Sequence, residues 1–128
     1  MYPYQNKNTF CIISSIPLCV CEGQLLENFV ISELEKRRKL GFIKAEQFYY
    51  YKTVAGREID LVFEADNTLH AVEIKATRAP SSKDIANLRE FVQQTGKHAR
   101  GYLFHLGEEY AEADGIQIMP VHSLFRGK

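Results

Sequence analysis

Hydrophobic residues in this chain recur at two different spacings, and each spacing predicts one type of element. Apolar residues three or four positions apart in "GQLLENFVISELEKRRKLG" predict an amphipathic helix over residues 23–40. The same spacing in "PSSKDIANLREFVQQTGK" predicts a second helix over residues 82–95. The residues expected to bound these helices are Ser81 or Ser82 as the N-cap of the second, and Gly41 and Gly96 at the two C-terminal ends.

Stretches rich in aromatic and β-branched residues predict strands between and after these helices. Turn residues separate them, with "AG" at 55–56 and "DNT" at 66–68, and the second of these predicts a hairpin. Further on, "IQIMP" predicts a short last strand and "VHSLF" a helical turn. The four main strands are expected at residues 47–53, 58–64, 70–76 and 101–106.

The order of these elements predicts an α/β (α+β) fold with a central mixed β-sheet flanked by helices. Strands joined by short turns pair antiparallel, whereas the helix that precedes the fourth main strand gives that strand a parallel neighbour. We expect one domain over residues 22–128. Residues 1–21 are expected to be an N-terminal tail or irregular segment, although the apolar run within them is also compatible with a strand.

Composition and charge indicate an ordinary globular protein. Sixteen basic and sixteen acidic side chains cancel, so net charge favours no class of partner. The acidic run at 108–114 is expected on a solvated face or loop, and the basic run "EKRRK" at 35–39 either on such a face or against phosphates. Cys11, Cys19 and Cys21 fit no zinc-site spacing and indicate reduced thiols in the cytoplasm. The apolar run around them is too short to span a bilayer, so no membrane association is expected.

Three charged residues, Asp60, Glu73 and Lys75, interrupt strands that otherwise resemble sheet core. Strict alternation places Glu73 and Lys75 on one face of their strand. It also places Ile59, Leu61 and Phe63 on one face of the preceding strand. Asp60 lies on the other face. In the hairpin that the "DNT" turn predicts, Asp60 and Glu73 can therefore converge on one side of the sheet.

Two such carboxylates suit a hard divalent cation. With a main-chain oxygen such as the carbonyl of Ile74, Asp60 and Glu73 would form an oxygen site for Mg²⁺ or Mn²⁺. Lys75 could orient or help deprotonate a water there, which completes the groups needed for metal-assisted phosphodiester hydrolysis. The alternative is structural, with Glu73 and Lys75 as a same-face ion pair on a solvated sheet and Asp60 as a polar residue near a turn.

The motif order resembles the PD-(D/E)xK nuclease superfamily, the fold of restriction endonucleases and archaeal Holliday-junction resolvases. It comprises G-x-x-x-E on a leading helix, an Asp early in a strand, E-x-K in the hairpin partner, and a crossover helix. More narrowly, residues 22–126 resemble a domain of unknown function at the C-terminus of a family of prokaryotic AAA+ ATPases. The resemblance implies a restriction-endonuclease-like core in which Asp60 and Glu73 bind metal, Lys75 is the catalytic lysine and Glu27 is the leading-helix glutamate.

The helix offers a second acid, Glu33, which lies nearer the centre of the apolar stripe. We favour Glu27 because it stands four residues after Gly23, as the motif requires. The structural interpretation of Glu33 is a salt bridge to a neighbouring basic side chain. The P-loop pattern G-x-x-x-x-G-K-[ST] does not occur in the sequence, so we expect the chain to need a separate ATPase for any ATP-dependent role.

Two functions are consistent with these residues. The first is a metal-dependent nuclease acting on DNA. The second is a catalytically idle nuclease-fold module that positions an AAA+ ATPase on DNA or on a protein partner. Resolvase-like folds often dimerise, so a homodimer is compatible with the chain by analogy alone. The candidate phosphate contacts are Lys36, Arg37 and Arg38 in the basic run, and Thr77 and Arg78 after the E-x-K strand.

Overall fold

The helices and strands of this protein are seen in a computed structural model that describes residues 8–12, 22–96 and 98–125, with side chains for 23–96 and 98–125. Its helices are α1 (Glu22–Lys39) and α2 (Ala86–Thr95), followed late in the chain by a 3-10 helix over Val121–Phe125. Its strands are β1 (Asn8–Ile12), β2 (Tyr49–Thr53), β3 (Glu58–Ala65), β4 (Thr68–Ile74), β5 (Ala99–His105), β6 (Ala111–Ala113) and β7 (Ile116–Pro120).

All of these strands belong to one mixed sheet, in the order β1-β2-β3-β4-β5-β7-β6 within the described residues. The strands from β1 to β4 pair antiparallel, as short connections require. β4 pairs parallel with β5, and β5 pairs parallel with β7, so the carboxyl ends of these three strands lie at one edge of the sheet. The predicted mixed sheet flanked by helices is confirmed.

The N-terminal segment contributes β1 to this sheet. Residues 8–12 pair antiparallel with β2, with Phe10 opposite Tyr51. The sequence left open whether this apolar segment forms a strand or is irregular. The described part, residues 8–12, forms a strand. Residues 1–7 and 13–21, with Cys19 and Cys21, lie outside the described residues.

The hairpin between β3 and β4 turns through two residues in the left-handed region. Asp66 has φ 56° and Asn67 has φ 61°. Two positive φ values are what a two-residue type I′ turn requires, and Asn and Asp tolerate them better than other side chains. The turn joins Ala65 to its partner Thr68 and confirms the predicted hairpin.

A β-bulge interrupts the pairing of β2 with β3 beside Asp60. The pairs that flank the irregularity are Tyr51 with Ile59 and Tyr49 with Val62. Asp60 and Leu61 therefore oppose a single residue of β2. Because the extra residue resets the alternation, Ile59 packs on the α2 side of the sheet and Leu61 on the α1 side. The expectation that Ile59 and Leu61 share a face is wrong for this reason.

Each face of the sheet carries a hydrophobic core. In β4, Leu69 and Ala71 pack on the α2 side, whereas Val72 and Ile74 pack on the α1 side. Glu73 lies between the last two, so alternation directs it to the α2 side. On the α1 side, the helix contributes Val30, Ile31 and Leu34 to the core. On the α2 side, the core includes the N-cap residue Ile85 together with Leu88 and Phe91 of the helix.

The helices end as the sequence predicts. α1 covers residues 22–39, close to the expected 23–40, and Gly41 follows it with φ 88°. Gly96 ends α2 with φ 94°, a value that glycine adopts without strain. The segments "IQIMP" and "VHSLF" form β7 and the 3-10 helix, again as predicted. In the described ranges, neither helix has the length and apolar character needed to cross a bilayer.

The start of α2 differs from the prediction. The helix begins at Ala86, and Ile85 occupies its N-cap without a side-chain hydrogen bond, so the expected cap at Ser81 or Ser82 is wrong. The reason is a local turn, in which the amide of Ser81 donates to Oδ2 of Asp84 at 2.8 Å. In return, the amide of Asp84 donates to the carbonyl of Ser81 at 3.0 Å.

Replacement of Asn67 tests how far the hairpin depends on its turn. We expect Asn67→Val to lower the free energy of unfolding by about 1–3 kcal/mol, because a β-branched residue is strained at positive φ. Asn67→Gly is the matched control and should be at least as stable as the wild type. Urea denaturation measures both, and equal stability of the two variants would contradict the turn assignment.

Candidate metal centre

Two carboxyl groups meet where β3 and β4 pair near the carboxyl edge of the sheet. Asp60 stands at the bulge of β3, and its Oδ2 accepts a hydrogen bond from the amide of Ile74 at 2.9 Å. A second hydrogen bond joins the carboxyl of Asp60 to that of Glu73. The hairpin register thus brings together the two acids that the sequence nominates as metal ligands.

Burial raises the pKa of both carboxyl groups, so the pair keeps a proton near neutral pH. Glu73 is only 3% exposed. Burial, with the charge of Asp60 and the hydrogen bond to it, raises the pKa of Glu73 to about 9. Burial also raises the pKa of Asp60, although hydrogen bonds from Glu73 and from the amide of Ile74 oppose that rise. Near neutral pH, and without a cation, Glu73 therefore carries a proton that it donates to Asp60.

Glu27, near the beginning of α1, is electrostatically coupled to the pair. Burial, followed by the charge of Asp60, raises the pKa of Glu27 to about 7. The alternative acid of this helix, Glu33, has other partners. It forms ion pairs with Lys36 at 2.9 Å and Arg37 at 3.4 Å, and the hydrogen bond from Lys36 is the main cause of its lowered pKa. Glu27 thus lies within electrostatic reach of Asp60, whereas Glu33 forms the salt bridges that its structural interpretation predicts.

Lys75 supplies positive charge to this group of acids. Its charge opposes the rise in pKa of Glu27, Asp60 and Glu73, so it lies within electrostatic reach of all three. Sequence reasoning missed a fourth nearby acid, Glu58, whose charge raises the pKa of Glu27 and Asp60. The signal was available, because Glu58 stands two positions before Asp60 in "REID".

The two carboxyl groups suit a hard divalent cation that takes only a few of its ligands from the protein. Within the described part of the chain, no group of three or more His, Cys, Asp or Glu side chains is arranged to hold a metal ion. Asp60 and Glu73 therefore supply two carboxylates, which is what Mg²⁺ commonly takes from a protein when water and substrate phosphates fill its remaining positions. The amide of Ile74 is bonded to Asp60. That the Ile74 carbonyl joins the ligand set stays a prediction.

Most of the predicted basic contacts lie away from this pair. Arg37 is about 15 Å from Glu27 along the axis of α1, at the 1.5 Å rise per residue of an α-helix. It pairs with Glu33 and donates to the carbonyl of Leu124, and so ties α1 to the 3-10 helix. Lys36 is well exposed but also pairs with Glu33.

Arg38 has a structural environment as well. Its guanidinium pairs with Glu35 and donates to the carbonyl of Glu46 at 2.9 Å. It also lies 5.7 Å from the ring centroid of Phe48, which is buried. These contacts anchor the end of α1 to the loop that leads into β2.

Thr77 and Arg78 lie closer to the carboxyl pair, because they stand two and three residues after Lys75. The carbonyl of Thr77 accepts a hydrogen bond from the amide of Leu106 at 2.8 Å, and its hydroxyl accepts one from the amide of Ala79 at 3.3 Å. Arg78 is exposed, and among the described residues it has no ion-pair partner. Lys75 and Arg78 are thus the cations that this segment offers to a phosphate.

The chain belongs to a family described as a domain of unknown function (DUF4143), whose model matches residues 22–124. The matched segment begins at α1 and extends into the 3-10 helix, so it contains the whole carboxyl site. A comparison with curated proteins finds no match. Because the family description assigns no activity, the function has to be argued from the site itself.

The raised pKa of Glu73 predicts a pH-dependent stability. Its protonated form stabilises the fold fully below the ordinary pKa of 4.5, and this contribution is lost as the pH rises towards about 9. We therefore expect wild type to lose, between pH 5 and 8, stability on the order of a few kcal/mol relative to Glu73→Gln, whose amide can still donate to Asp60. The charged groups that act on Glu73 are present in both proteins; they are Asp60, Lys75 and Glu27.

Urea denaturation across this pH range measures the effect. Glu64→Gln is the matched control, because it removes an exposed carboxylate from the same hairpin. A constant difference between wild type and Glu73→Gln at every pH would contradict the shared proton.

Proposed function

We propose that this protein is a metal-dependent nuclease that hydrolyses DNA phosphodiester bonds, with Asp60 and Glu73 as ligands of Mg²⁺ or Mn²⁺. The observation that carries the proposal is the hydrogen-bonded pair formed by the buried Glu73 and the partly buried Asp60, with Lys75 within electrostatic reach. Two carboxylates cannot both ionise at such proximity without a cation, and a divalent ion can replace their proton. A purely structural sheet gains nothing from placing this pair in its interior.

The resemblance to the PD-(D/E)xK superfamily supports the same assignment. The acids that the motif nominates, Asp60 and Glu73, are hydrogen-bonded to each other, and Glu27 of the leading helix is electrostatically coupled to them. The narrower resemblance suggests an AAA+ ATPase as a protein partner that could deliver the substrate.

Each residue has a defined task in the proposed hydrolysis. The oxygen of a water bonds to phosphorus while the bond from phosphorus to one sugar oxygen breaks, and the water's proton ends on that leaving oxygen. A bound divalent ion would neutralise phosphate charge and lower the pKa of the water. Lys75 orients the water and stabilises the charge that develops on the phosphate. Glu27 accepts a hydrogen bond from a water beside the pair, and Arg78 and Thr77 contact a neighbouring phosphate.

A second function, an idle nuclease-fold module that binds DNA or a protein, is favoured by two observations. Glu73 is almost fully buried, which limits access to the pair. Arg37 and Arg38 are engaged within the fold, and the net charge of the chain is zero, so the electrostatic attraction for DNA is modest. Such a module would keep the acids without useful turnover.

Metal binding tests the site independently of cleavage. Calorimetry with Mn²⁺ or Mg²⁺ should show binding to wild type in the range of about 1 mM or tighter, with a rise in thermal midpoint. Asp60→Asn should lose most of the affinity, because it removes one of two carboxylates. Glu64→Gln again provides the control and should bind as wild type does. Equal affinity in wild type and Asp60→Asn would rule the site out.

Cleavage assays decide between the two functions. Linear, branched and single-stranded DNA would be incubated with Mn²⁺ or Mg²⁺. Lys75→Ala should lower cleavage by about 10²-fold or more while metal and DNA binding persist, because the lysine acts on the transition state. Glu73→Ala should lose cleavage and metal binding together. Equal cleavage by wild type and Lys75→Ala would assign the activity to a contaminant, and no cleavage of any substrate would favour the idle module.

The two acids of α1 provide a matched pair for the same assay. Glu27→Gln should lower cleavage, because it removes the carboxylate beside Asp60. Glu33→Gln should leave cleavage nearly unchanged, because that carboxylate pairs with Lys36 and Arg37. The reverse order would assign the helix acid to Glu33.

A further inference from the structure

A buried histidine closes the loop that follows β5, close to the segment that carries Lys75. His105 is fully buried. Its Nδ1 accepts a hydrogen bond from the amide of Gly107, and its Nε2 lies 2.9 Å from the carbonyl of Glu109. Since an amide can only donate and a carbonyl can only accept, the ring carries its hydrogen on Nε2. One imidazole therefore fixes two main-chain groups of the loop.

This loop is hydrogen-bonded to the segment after β4. The amide of Lys75 donates to the carbonyl of Phe104 at 2.9 Å, and the amide of Leu106 donates to the carbonyl of Thr77 at 2.8 Å. The parallel pairing of β4 and β5 thus continues beyond the last residue of β4. The main chain of Lys75 is held from the β5 side by these bonds.

Gly107 makes the closest contact between the two segments. A Cβ added at Gly107 would lie 2.1 Å from the carbonyl oxygen of Arg78 and 3.2 Å from Nδ1 of His105. No side chain fits there, so the backbone of Arg78 packs directly on the glycine. The amide of Gly107 is held by His105 and its α-carbon is held against Arg78, so the imidazole and the Arg78 backbone constrain the same residue.

We infer that His105 is a positioning residue for the candidate site, which acts through Gly107 to hold the segment from Lys75 to Arg78 beside the carboxyl pair. This inference rests on the proposed function for its effect on cleavage. Its structural part, the dependence of the segment on the imidazole, is independent of any activity. A histidine that only fills the core would affect stability without a selective effect on this segment.

Two substitutions separate these roles. In His105→Asn, the side-chain oxygen takes the place of Nδ1 and can still accept from Gly107. In His105→Gln, the longer amide reaches the position of Nε2 and retains the bond to Glu109, but not the one to Gly107. Asn leaves the larger cavity, so a role limited to packing would make His105→Asn the more impaired variant. The positioning role predicts the opposite order.

Cleavage and amide exchange provide the two measurements. We expect His105→Gln to lower kcat by about 10²-fold, as misplacement of a reacting group by about 1 Å does, with unchanged Mn²⁺ affinity. His105→Asn should retain most of the activity. By NMR, the amides of Lys75 and Leu106 should exchange faster in His105→Gln than in wild type or His105→Asn. The amide of Ile74, which is bonded to Asp60, should keep its protection in all three proteins.

The outcomes distinguish this inference from the proposed function. If wild type cleaves no DNA but Lys75 and Leu106 lose protection selectively in His105→Gln, the nuclease assignment fails and the positioning role stands. Equal protection in all three proteins, or greater loss in His105→Asn, overturns the positioning role. Gly107→Ala supplies a second variant if His105→Gln does not fold, because its Cβ displaces the Arg78 carbonyl while the imidazole remains. It should show the same selective loss, and unchanged protection in it would also overturn the inference.

Discussion

The hydrogen bond between the carboxyl groups of Asp60 and Glu73 is the contact on which the candidate site depends. Two acids in a sheet interior are unfavourable unless a proton, a cation or a donor compensates their charge. Here the proton on Glu73 and the amide of Ile74 provide that compensation. The contact exists because the β3–β4 hairpin has one register, which its two-residue turn sets.

In the proposed function, a phosphate would bind at the carboxyl edge of the sheet, near this pair. The carboxyl ends of β4, β5 and β7 lie at one edge, and ligands of open α/β sheets bind outside such ends. Lys75 directly follows β4, and Arg78 stands three residues later. The loop after β5 packs on the same segment through Gly107 and is held by His105. The charged groups of the site are thus supported from both parallel strands rather than by one flexible loop.

The arginines at the end of α1 make contacts within the fold, and these contacts bear on whether they can bind phosphate. Arg37 and Arg38 use their guanidinium groups to bind carbonyls of the 3-10 helix and of the loop before β2. They are therefore poor candidates for the main phosphate contacts, and the exposed Arg78 is a better one. Of the two acids of this helix considered for the site, Glu27 is within electrostatic reach of Asp60, whereas Glu33 forms ion pairs with Lys36 and Arg37. Glu27 and Glu33 thus differ in their expected roles, because different charged side chains surround them.

The sequence by itself determined the elements, the hairpin and the identity of the paired acids, because periodicity and turn residues act locally. Alternation and "DNT" predicted that Asp60 and Glu73 can converge, but the faces that strict alternation assigned around Asp60 were changed by the bulge. The bulge that sends Ile59 and Leu61 to opposite faces, the late start of α2 and the contact of Gly107 with Arg78 were decided by the tertiary structure. Each depends on a partner that is distant in sequence or on competition between local hydrogen bonds, so no spacing along the chain encodes it.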